Sequence, residues 1–467
     1  MFLEYTRKPD HWNRMTDTGR EATGMRVFLV VWGGQFVSLV GTALTGFALS
    51  IWVYQETGSA TQLSLVLLAS QLPQILFTPI AGALVDRWDR RWAMILADTG
   101  AGIGTMAIAL LLFTDNLQIW HLYIALGFSG IFQSFQWPAY SAATTLLVSK
   151  EQYGRAAGLV QMAEAVGHVI APAIAGVLLA VGGLETVIFV DVVSFLAAVA
   201  TLLVVRFPKA EVSAAGAAST GSLLSEAKFG WTYIRERHGL LALLWYFASV
   251  NLVFGFVGVL VFPLILGFAD EVAVGNVFTF AGVGMVMGSL LMSAWGGPKR
   301  RVYGVLGSDV ILGVCLIILG LKPSLTLIAV GATLAFLAVP IANGSSQALW
   351  QSKVEPDIQG RVFAVRRVLA QIAGPFAMIM AGPLADQVFE PLLQEDGALA
   401  DSVGSVIGVG PGRGIAFLFI ILGGLSIVFT IIAYLYPRLR NLEDEIPDYD
   451  EIEPAAATLQ VEGAPAR

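Results

Sequence analysis

The sequence predicts an all-α membrane protein of twelve spanning helices, arranged as two pseudo-symmetric six-helix bundles. Three observations carry that expectation. Of 467 residues, 56% are hydrophobic and only 13% charged, with a mean hydropathy of +0.74. Apolar stretches of about 20 residues, the length that crosses a hydrocarbon core about 30 Å thick, recur along the chain. The basic residues fall almost entirely in alternate loops and in the tails, the segregation that marks the cytoplasmic side of a membrane.

The candidate spans cover 27–54, 59–84, 92–113, 118–143, 156–181, 184–206, 240–267, 272–296, 303–321, 325–349, 364–386 and 413–436. Arg7, Lys8, Arg14, Arg20 and Arg26 precede span one. Arg87, Arg90 and Arg91 follow span two, and Lys150 and Arg155 follow span four. Arg206, Lys209, Lys228, Arg235 and Arg237 follow span six. Lys299, Arg300 and Arg301 follow span eight, and Lys353, Arg361, Arg366 and Arg367 surround the loop after span ten. With Arg438, Arg440 and Arg467 in the tail, these are 25 of the 27 lysines and arginines. The opposite side keeps only Lys322 and Arg413. An even span count puts both termini on the basic, cytoplasmic side, and an odd count would scramble the pattern.

The domain expectation follows: an N-terminal tail over 1–26, a first bundle over 27–206, a linker over 207–239, a second bundle over 240–436 and an acidic tail over 437–467. Residues 1–25 are polar and lack the short apolar core of a cleavable signal. Residues 207–221 are small and polar, a linker composition. Over 222–237, Leu223, Leu224, Ala227, Trp231 and Ile234 form one stripe beside Lys228, Arg235 and Arg237. That pattern fits an amphipathic helix lying on the inner membrane surface. The tail from Glu443 to Glu453 is acidic and reads as disordered. The single cysteine, Cys315, allows no intrachain disulfide.

The halves echo each other. Ser149-Lys150 before Gly154-Arg155 resembles Ser352-Lys353 before Gly360-Arg361. Ser149 to Ser352 and Pro172 to Pro375 both span 203 residues, and Pro138 to Pro340 spans 202. A parallel repeat of six helices places a cavity between the halves near mid-membrane.

The decapeptide Gly82-Ala-Leu-Val-Asp86-Arg87-Trp-Asp89-Arg90-Arg91 joins spans two and three. Gly82 lets a neighbouring helix approach closely. Asp86, one turn on, can meet the positive end of a facing helix. Arg87, Arg90 and Arg91 hold the loop on the cytoplasmic side. Such a hinge latches or releases two bundles, which favours transport over catalysis.

On these motifs, residues 25–440 resemble the major facilitator superfamily. The 82–91 segment matches that family's loop between helices two and three. Gln152-Tyr-Gly154-Arg155-Ala-Ala-Gly-Leu159 resembles its loop between helices four and five. Gly167-His-Val-Ile-Ala-Pro172-Ala-Ile-Ala-Gly176 is similar to the helix-five signature of proton-exchanging exporters. Within the superfamily, Thr57-Gly58-Ser59-Ala60, Val85-Asp86-Arg87 and Gly360-Arg361-Val362-Phe363 look like the macrolide-efflux and siderophore-export branch. The resemblance implies a monomeric inner-membrane exporter of amphipathic molecules (drug, macrolide or secondary metabolite) driven by protons or another ion. Export of a siderophore or lipid-like metabolite, and uniport or import by the same fold, are the alternatives. Relatives commonly carry an arginine in helix four; here span four has no Lys or Arg, and Ser129 occupies that place.

Among the ionisable residues in spans, Glu164 and His168 lie one turn apart on span five, beside a stripe of Ala163, Gly167, Ala171 and Ala175. An ionisable group near the bilayer centre costs roughly 2.5–3.5 kcal/mol, so it needs a reason. One reading is a proton-exchanging carboxylate with an imidazole neighbour. The other is a hydrogen-bonded pair filling a helix contact, or a hydrated Glu164. Asp191 on span six is a further proton candidate, against a structural reading as a bond to a neighbouring helix. Asp98 and Asp309 follow their basic loops by similar distances and read as gate partners of Arg155 and Arg361, or as groups in a solvated vestibule.

Uncharged polar residues suggest the cavity lining. Gln35, Ser38, Thr42 and Thr45 form a stripe on span one; Gln133 and Gln136 lie on span four, Asn251 on span seven, Asn343 and Gln347 on span ten. With Trp32, Phe36, Trp137, Trp245, Phe254 and Phe256 they would make a mostly apolar pocket with a few orienting groups. The outer loop over 387–412, with Asp386 just before it, carries Glu390, Glu395, Asp396 and Asp401 against one Arg413, and reads as a short helix over the outer mouth or a solvated excursion. Four scattered histidines give no metal cluster, no phosphate-cradling loop is present, and no cofactor or nucleic acid is expected.

Overall fold

The computed structural model describes residues 24–85, 88–148, 152–205, 207, 223–355 and 358–448. All regular elements in them are helical. The first four spans are Met25–Thr57, Ala60–Val85, Arg90–Phe113 and Ile119–Leu147. Spans five and six are one segment, Tyr153–Val204, broken at Gly183. The φ of 69° and ψ of −176° there fall in a region that only glycine adopts without strain. After a surface helix, Leu223–Glu236, come His238–Leu266, Glu271–Trp295, Arg301–Leu321 and Leu325–Lys353. Span eleven is composite: Gln359–Gln371, Ala373–Pro383, a π-helical turn Leu384–Phe389 and Glu390–Leu392. Span twelve is Arg413–Leu435.

Apolar side chains cover the outside. Leu110, Ile124, Val181, Leu290 and Leu435 are each more than 60% exposed, which suits hydrocarbon and not water. Small residues set the contacts inside. A Cβ on Gly284 or Gly288 of span eight would lie 2.1 Å from the carbonyls of Thr333 or Leu337 on span ten. Backbones touch there because no side chain stands between them.

Helix pairing shows the two bundles. In the first, span one packs on the five–six segment, and spans two and three pack on four. In the second, span seven packs on eleven and twelve, and spans eight and nine pack on ten. Across the bundles, five meets eight and two meets eleven, so exchanging the halves maps one set of contacts onto the other. We call the side carrying the surface helix Leu223–Glu236 the linker face and the opposite side the far face.

On the linker face one expectation fails, that of a disordered tail. The surface helix packs Tyr233 and Ile234 on the second bundle. Ile234 and Tyr233 are buried, Tyr233 Oη donates to Lys353 O at 3.2 Å, and a Cβ on Gly230 would lie 2.7 Å from Arg361 O. The side chains of Leu223, Leu224 and Ala227 lie outside the described residues. The acidic tail is ordered as far as residue 448. Glu443 caps span nine, accepting from Arg301 N at 3.0 Å and Val302 N at 3.2 Å. The buried Lys353 ammonium donates to the Glu443 and Ile446 carbonyls and pairs with Asp448 at 2.7 Å. A buried ammonium needs such partners, and among the described residues the tail supplies them. Residues 449–467 lie outside the described residues.

On the far face, the loop after span eleven is held by Glu390, which accepts from Gly412 N at 3.2 Å and Ile415 N at 2.9 Å at the start of span twelve. The buried Arg413 donates to Ile407 O at 3.0 Å, tying down the short helix Gly404–Ile407.

Two stability predictions follow from these contacts. Gly288→Val should cost about 1–3 kcal/mol by overpacking and lower the melting temperature in detergent. Gly307→Ala, whose Cβ meets open space, should not. Glu443→Ala should cost about 1 kcal/mol, the usual worth of a helix cap; thermal melting in nanodiscs reads both.

Candidate functional site

Three spans of the first bundle converge on one buried carboxylate. Gln35 on span one donates from Nε2 to Asp98 Oδ2 at 2.6 Å. Gln136 on span four donates from Nε2 to Asp98 Oδ1 at 3.0 Å and to Gln35 Oε1 at 3.2 Å. Asp98 on span three is 4% exposed, about 12 Å from the linker-face end of its helix at 1.5 Å per residue. Its partners are neutral amides, not the arginines expected from sequence. Arg155 is exposed, and the Arg361 guanidinium lies 5.6 Å from the Phe229 ring of the surface helix.

Asp191 is the second buried carboxylate. Span one presents Gly41 to it, and a Cβ there would lie 2.8 Å from Asp191 Oδ1. Ser194 Oγ reaches Asp191 Oδ1 at 3.5 Å, and the hydroxyl-bearing side chains of Thr42, Thr45 and Thr105 surround it. Thr45 Oγ1 is buried with no hydrogen-bond partner.

Asp98 and Asp191 face one cavity of about 730 Å³, with Ser38, Thr42, Thr105, Gln133, Gln136 and Phe195 in its walls and Gln371 from the second bundle. Among the described residues, no lysine or arginine lines it. A smaller space adjoins it, walled by Trp32, Gln35, Phe36 and Trp137. Trp32 stacks on Phe36 at 5.2 Å and donates from Nε1 to Leu159 O at 3.0 Å. Gly167 of span five lines the large cavity. The side chains of its neighbours Glu164 and His168 lie outside the described residues.

The second bundle holds a related space of about 310 Å³, lined by Asn251, Phe254, Ser308, Asp309 and Asn343. Asp309 is buried beside Tyr246, whose hydroxyl is 2.9 Å from Thr430 Oγ1. It too has a neutral partner where an arginine was expected. Gln347 does not join this lining, because its Oε1 accepts from Arg366 Nη1 at 3.0 Å. Arg366 also donates to Ser346 Oγ at 3.1 Å and lies 5.0 Å from the Trp350 ring. Sequence reading grouped Arg366 with the basic residues around the loop although span eleven was taken to begin at 364, and so gave it no partner on span ten. Trp245 is 58% exposed on the perimeter and Phe256 is buried in the core, so neither aromatic lines a cavity.

Ser129 does not take the part of a charged group in span four. It is buried and donates to Ala101 O at 3.1 Å.

On the far face the two bundles touch. Phe47, Phe262 and Phe278 meet across the bundles with centroids 5.3–5.5 Å apart. A Cβ on Gly176 would lie 2.9 Å from Glu271 O, and one on Gly275 2.7 Å from Pro172 O. Asp386 of span eleven bonds to the start of span two. The hydrogen bonds between the bundles among the described residues lie in the far half or at mid-depth.

The linker-face loops differ from expectation in one respect. Among the described residues, a Cβ on Gly82 would meet nothing within 4 Å, so no described helix approaches there. Asp89 caps span three through Arg91 N at 2.9 Å and Trp92 N at 3.2 Å. Arg91 caps the end of span six, donating to Leu202 O and Leu203 O at 2.7 Å each. Arg90 donates to Trp88 O at 3.1 Å. Asp86 and Arg87 lie outside the described residues, as do the surroundings of Gly154 and Gly360.

The family model for the Major Facilitator Superfamily matches residues 31–378. The chain is 31% identical over 368 residues to macrolide efflux protein A of Streptococcus pyogenes, covering 77% of this chain and 90% of that protein. It is 26% identical over 443 residues to the multidrug efflux pump Tap of Mycolicibacterium fortuitum, covering 92% and 99%. A stretch of 156 residues is 30% identical to the enterobactin exporter EntS of Shigella flexneri, 33% of this chain and 38% of that one. The fold matches a bacterial homologue of the human lysosomal transporter Spinster, solved inward-facing and unoccupied, with a TM-score of 0.66 at 16% identity, covering 89% and 96%. The chain belongs to the major facilitator superfamily: it is a multi-pass membrane transporter and not an enzyme.

Proposed function

We propose that this protein exports amphipathic small molecules across the cytoplasmic membrane by alternating access, in exchange for protons. The observation that carries the reading is the cavity: two buried carboxylates, Asp98 and Asp191, among neutral amides, hydroxyls and aromatic rings. An ionised carboxylate at such depth costs roughly 2.5–3.5 kcal/mol on insertion scales. A proton, or a cationic group on a bound molecule, removes that cost. A group that two ligands relieve in turn can couple their movements.

The basic loops put the linker face in the cytoplasm, and both termini with it. With the bundles in contact on the far face, the cavity takes its substrate from inside the cell or from the inner leaflet. Its mixed apolar and amide lining suits a large amphipathic organic molecule better than a sugar phosphate, which would want paired cations. The macrolide and multidrug names of the relatives support the same class. One chain builds the whole cavity, so a monomer suffices. Glu164 and His168, on either side of Gly167 in sequence, remain further candidates for carrying the proton, and the 82–91, 154–155 and 360–361 segments for gating the inner mouth.

In everted vesicles with an acidic lumen, so that protons run outward, the chain should accumulate a macrolide or a lipophilic dye. Asp98→Asn should cut gradient-driven accumulation at least about tenfold while leaving counterflow measurable, since the amide keeps the size and loses the exchangeable proton. Asp191→Asn tests the second carboxylate in the same assay. Accumulation insensitive to the gradient, in the parent protein, would replace exchange with uniport. Wild-type rates in both variants would move the proton site to Glu164 and His168, where Glu164→Gln decides.

A further inference from the structure

Span two cannot complete its own N-terminus. The first four amides of a helix have no partner inside it. Here Leu63 N donates to Ser59 O at 3.2 Å and Gln62 N to Ser59 Oγ at 3.2 Å. The remaining two, Ala60 N and Thr61 N, donate to Asp386 Oδ1 at 3.0 Å and Oδ2 at 2.8 Å. Ser59 Oγ itself donates to Asp386 Oδ2 at 2.7 Å. All four amides are therefore satisfied, but half of the cap comes from the other bundle, more than 320 residues away.

Span eleven is shaped to deliver that carboxylate. Asp386 sits in the π-helical turn Leu384–Phe389, directly after Pro383, where the wider turn re-aims side chains. One turn earlier, Gly382 lies against span two. A Cβ on it would stand 2.3 Å from Thr61 Cα and 2.6 Å from Ser64 Oγ. The bare glycine lets the backbones touch, and the touch brings Asp386 over the amides. The negative carboxylate also meets the positive end of the span-two dipole.

We infer that Asp386 is the latch of the far-side gate: its cap on span two holds the two bundles together on that face and has to break each time the far side opens. The comparison within this molecule supports the assignment. Glu390 caps span twelve and Glu443 caps span nine by the same chemistry, yet each does so inside the second bundle. Those caps survive a rigid-body rocking of one bundle against the other. The Asp386 cap does not, because its donor and acceptor ride on different bodies. Once the bundles part, the Ala60 and Thr61 amides and the carboxylate pass to water. The inference rests on the alternating-access reading, but its readout does not require transport.

Spin labels on Glu56→Cys and Ser402→Cys, both exposed on the far face of opposite bundles, in a Cys315→Ser background, give the far-face distance in nanodiscs by double electron–electron resonance. The parent should show mainly a short-distance population. Asp386→Ala should raise the ratio of long to short distances by about tenfold, the worth of a charged cap. Asp386→Asn should give a smaller rise, because an amide oxygen still accepts one bond, and Ser59→Ala a smaller one again. Glu443→Gln, on the opposite face, should leave the distribution as in the parent. A parent-like distribution in Asp386→Ala overturns the latch; if that variant fails to fold, the same result in Asp386→Asn does. A shifted distribution in a protein that extrudes none of the tested compounds keeps the latch and defeats the exporter reading instead.

Discussion

A polar group in hydrocarbon has to be satisfied by the chain itself, and this constraint decides where the interactions of the molecule lie. Outward faces are leucine, isoleucine and valine. Inward, each charged group has a built environment: two amides around Asp98, hydroxyls around Asp191, a tyrosine beside Asp309, carbonyls and a carboxylate around Lys353. The environments differ in kind. Lys353 has a counter-charge in Asp448. Asp98 and Asp191 have neutral partners and border the cavity, which is the ground for the proposed exchange.

The internal repeat explains why two such spaces exist and why they differ. The intervals 309 − 98 and 246 − 35 both equal 211, so the Asp309–Tyr246 pair stands where Asp98–Gln35 stands in the first half. Swapping an amide for a phenol turns a carboxylate held from two sides into one beside a single hydroxyl. The interval 300 − 89 is again 211. Asp89 caps span three with its own side chain, whereas Arg300 gives span nine no side-chain cap. Glu443 from the tail fills the vacancy. The tail is therefore part of the second bundle, repairing a helix end that divergence of the repeat left bare.

Much of this was legible in the sequence, and the rest fails for identifiable reasons. Apolar run lengths and basic loops give the spans because a bilayer imposes both. The ionisable residues in spans were visible for the same reason, and Asp98, Asp191, Gln133, Gln136, Asn251 and Asn343 do reach cavities. Partner identity was not legible. Nothing in the order of residues places 35, 98 and 136 together, so Asp98 was matched to the charges nearest its loop. Gln347 was counted as lining because it is an uncharged polar group in a span, and its bond to Arg366 leaves no trace in residue order. The tail read as solvated because its acidic composition is that of disorder, while the buried ammonium that recruits it lies some ninety residues earlier. Asp386 was visible only as one more acid near a loop, since a cap shared between bundles leaves no local pattern.

The asymmetry between the two faces constrains how the molecule must move. Opening the far side gives up the Asp386 cap, the Phe47–Phe262–Phe278 contact and two glycine-mediated backbone contacts. For two states to interconvert under a modest driving force, their free energies must differ by only a few kcal/mol. Comparable contacts must therefore form on the linker face as the far face parts. Under the proposed alternating access, Gly82 is the candidate surface: it lies near the linker-face end of span two, as the Asp386 cap lies at its far-face start, and among the described residues nothing stands within 4 Å of a Cβ built there. A rocking motion that lifted the start of span two from span eleven would carry that linker-face end towards it.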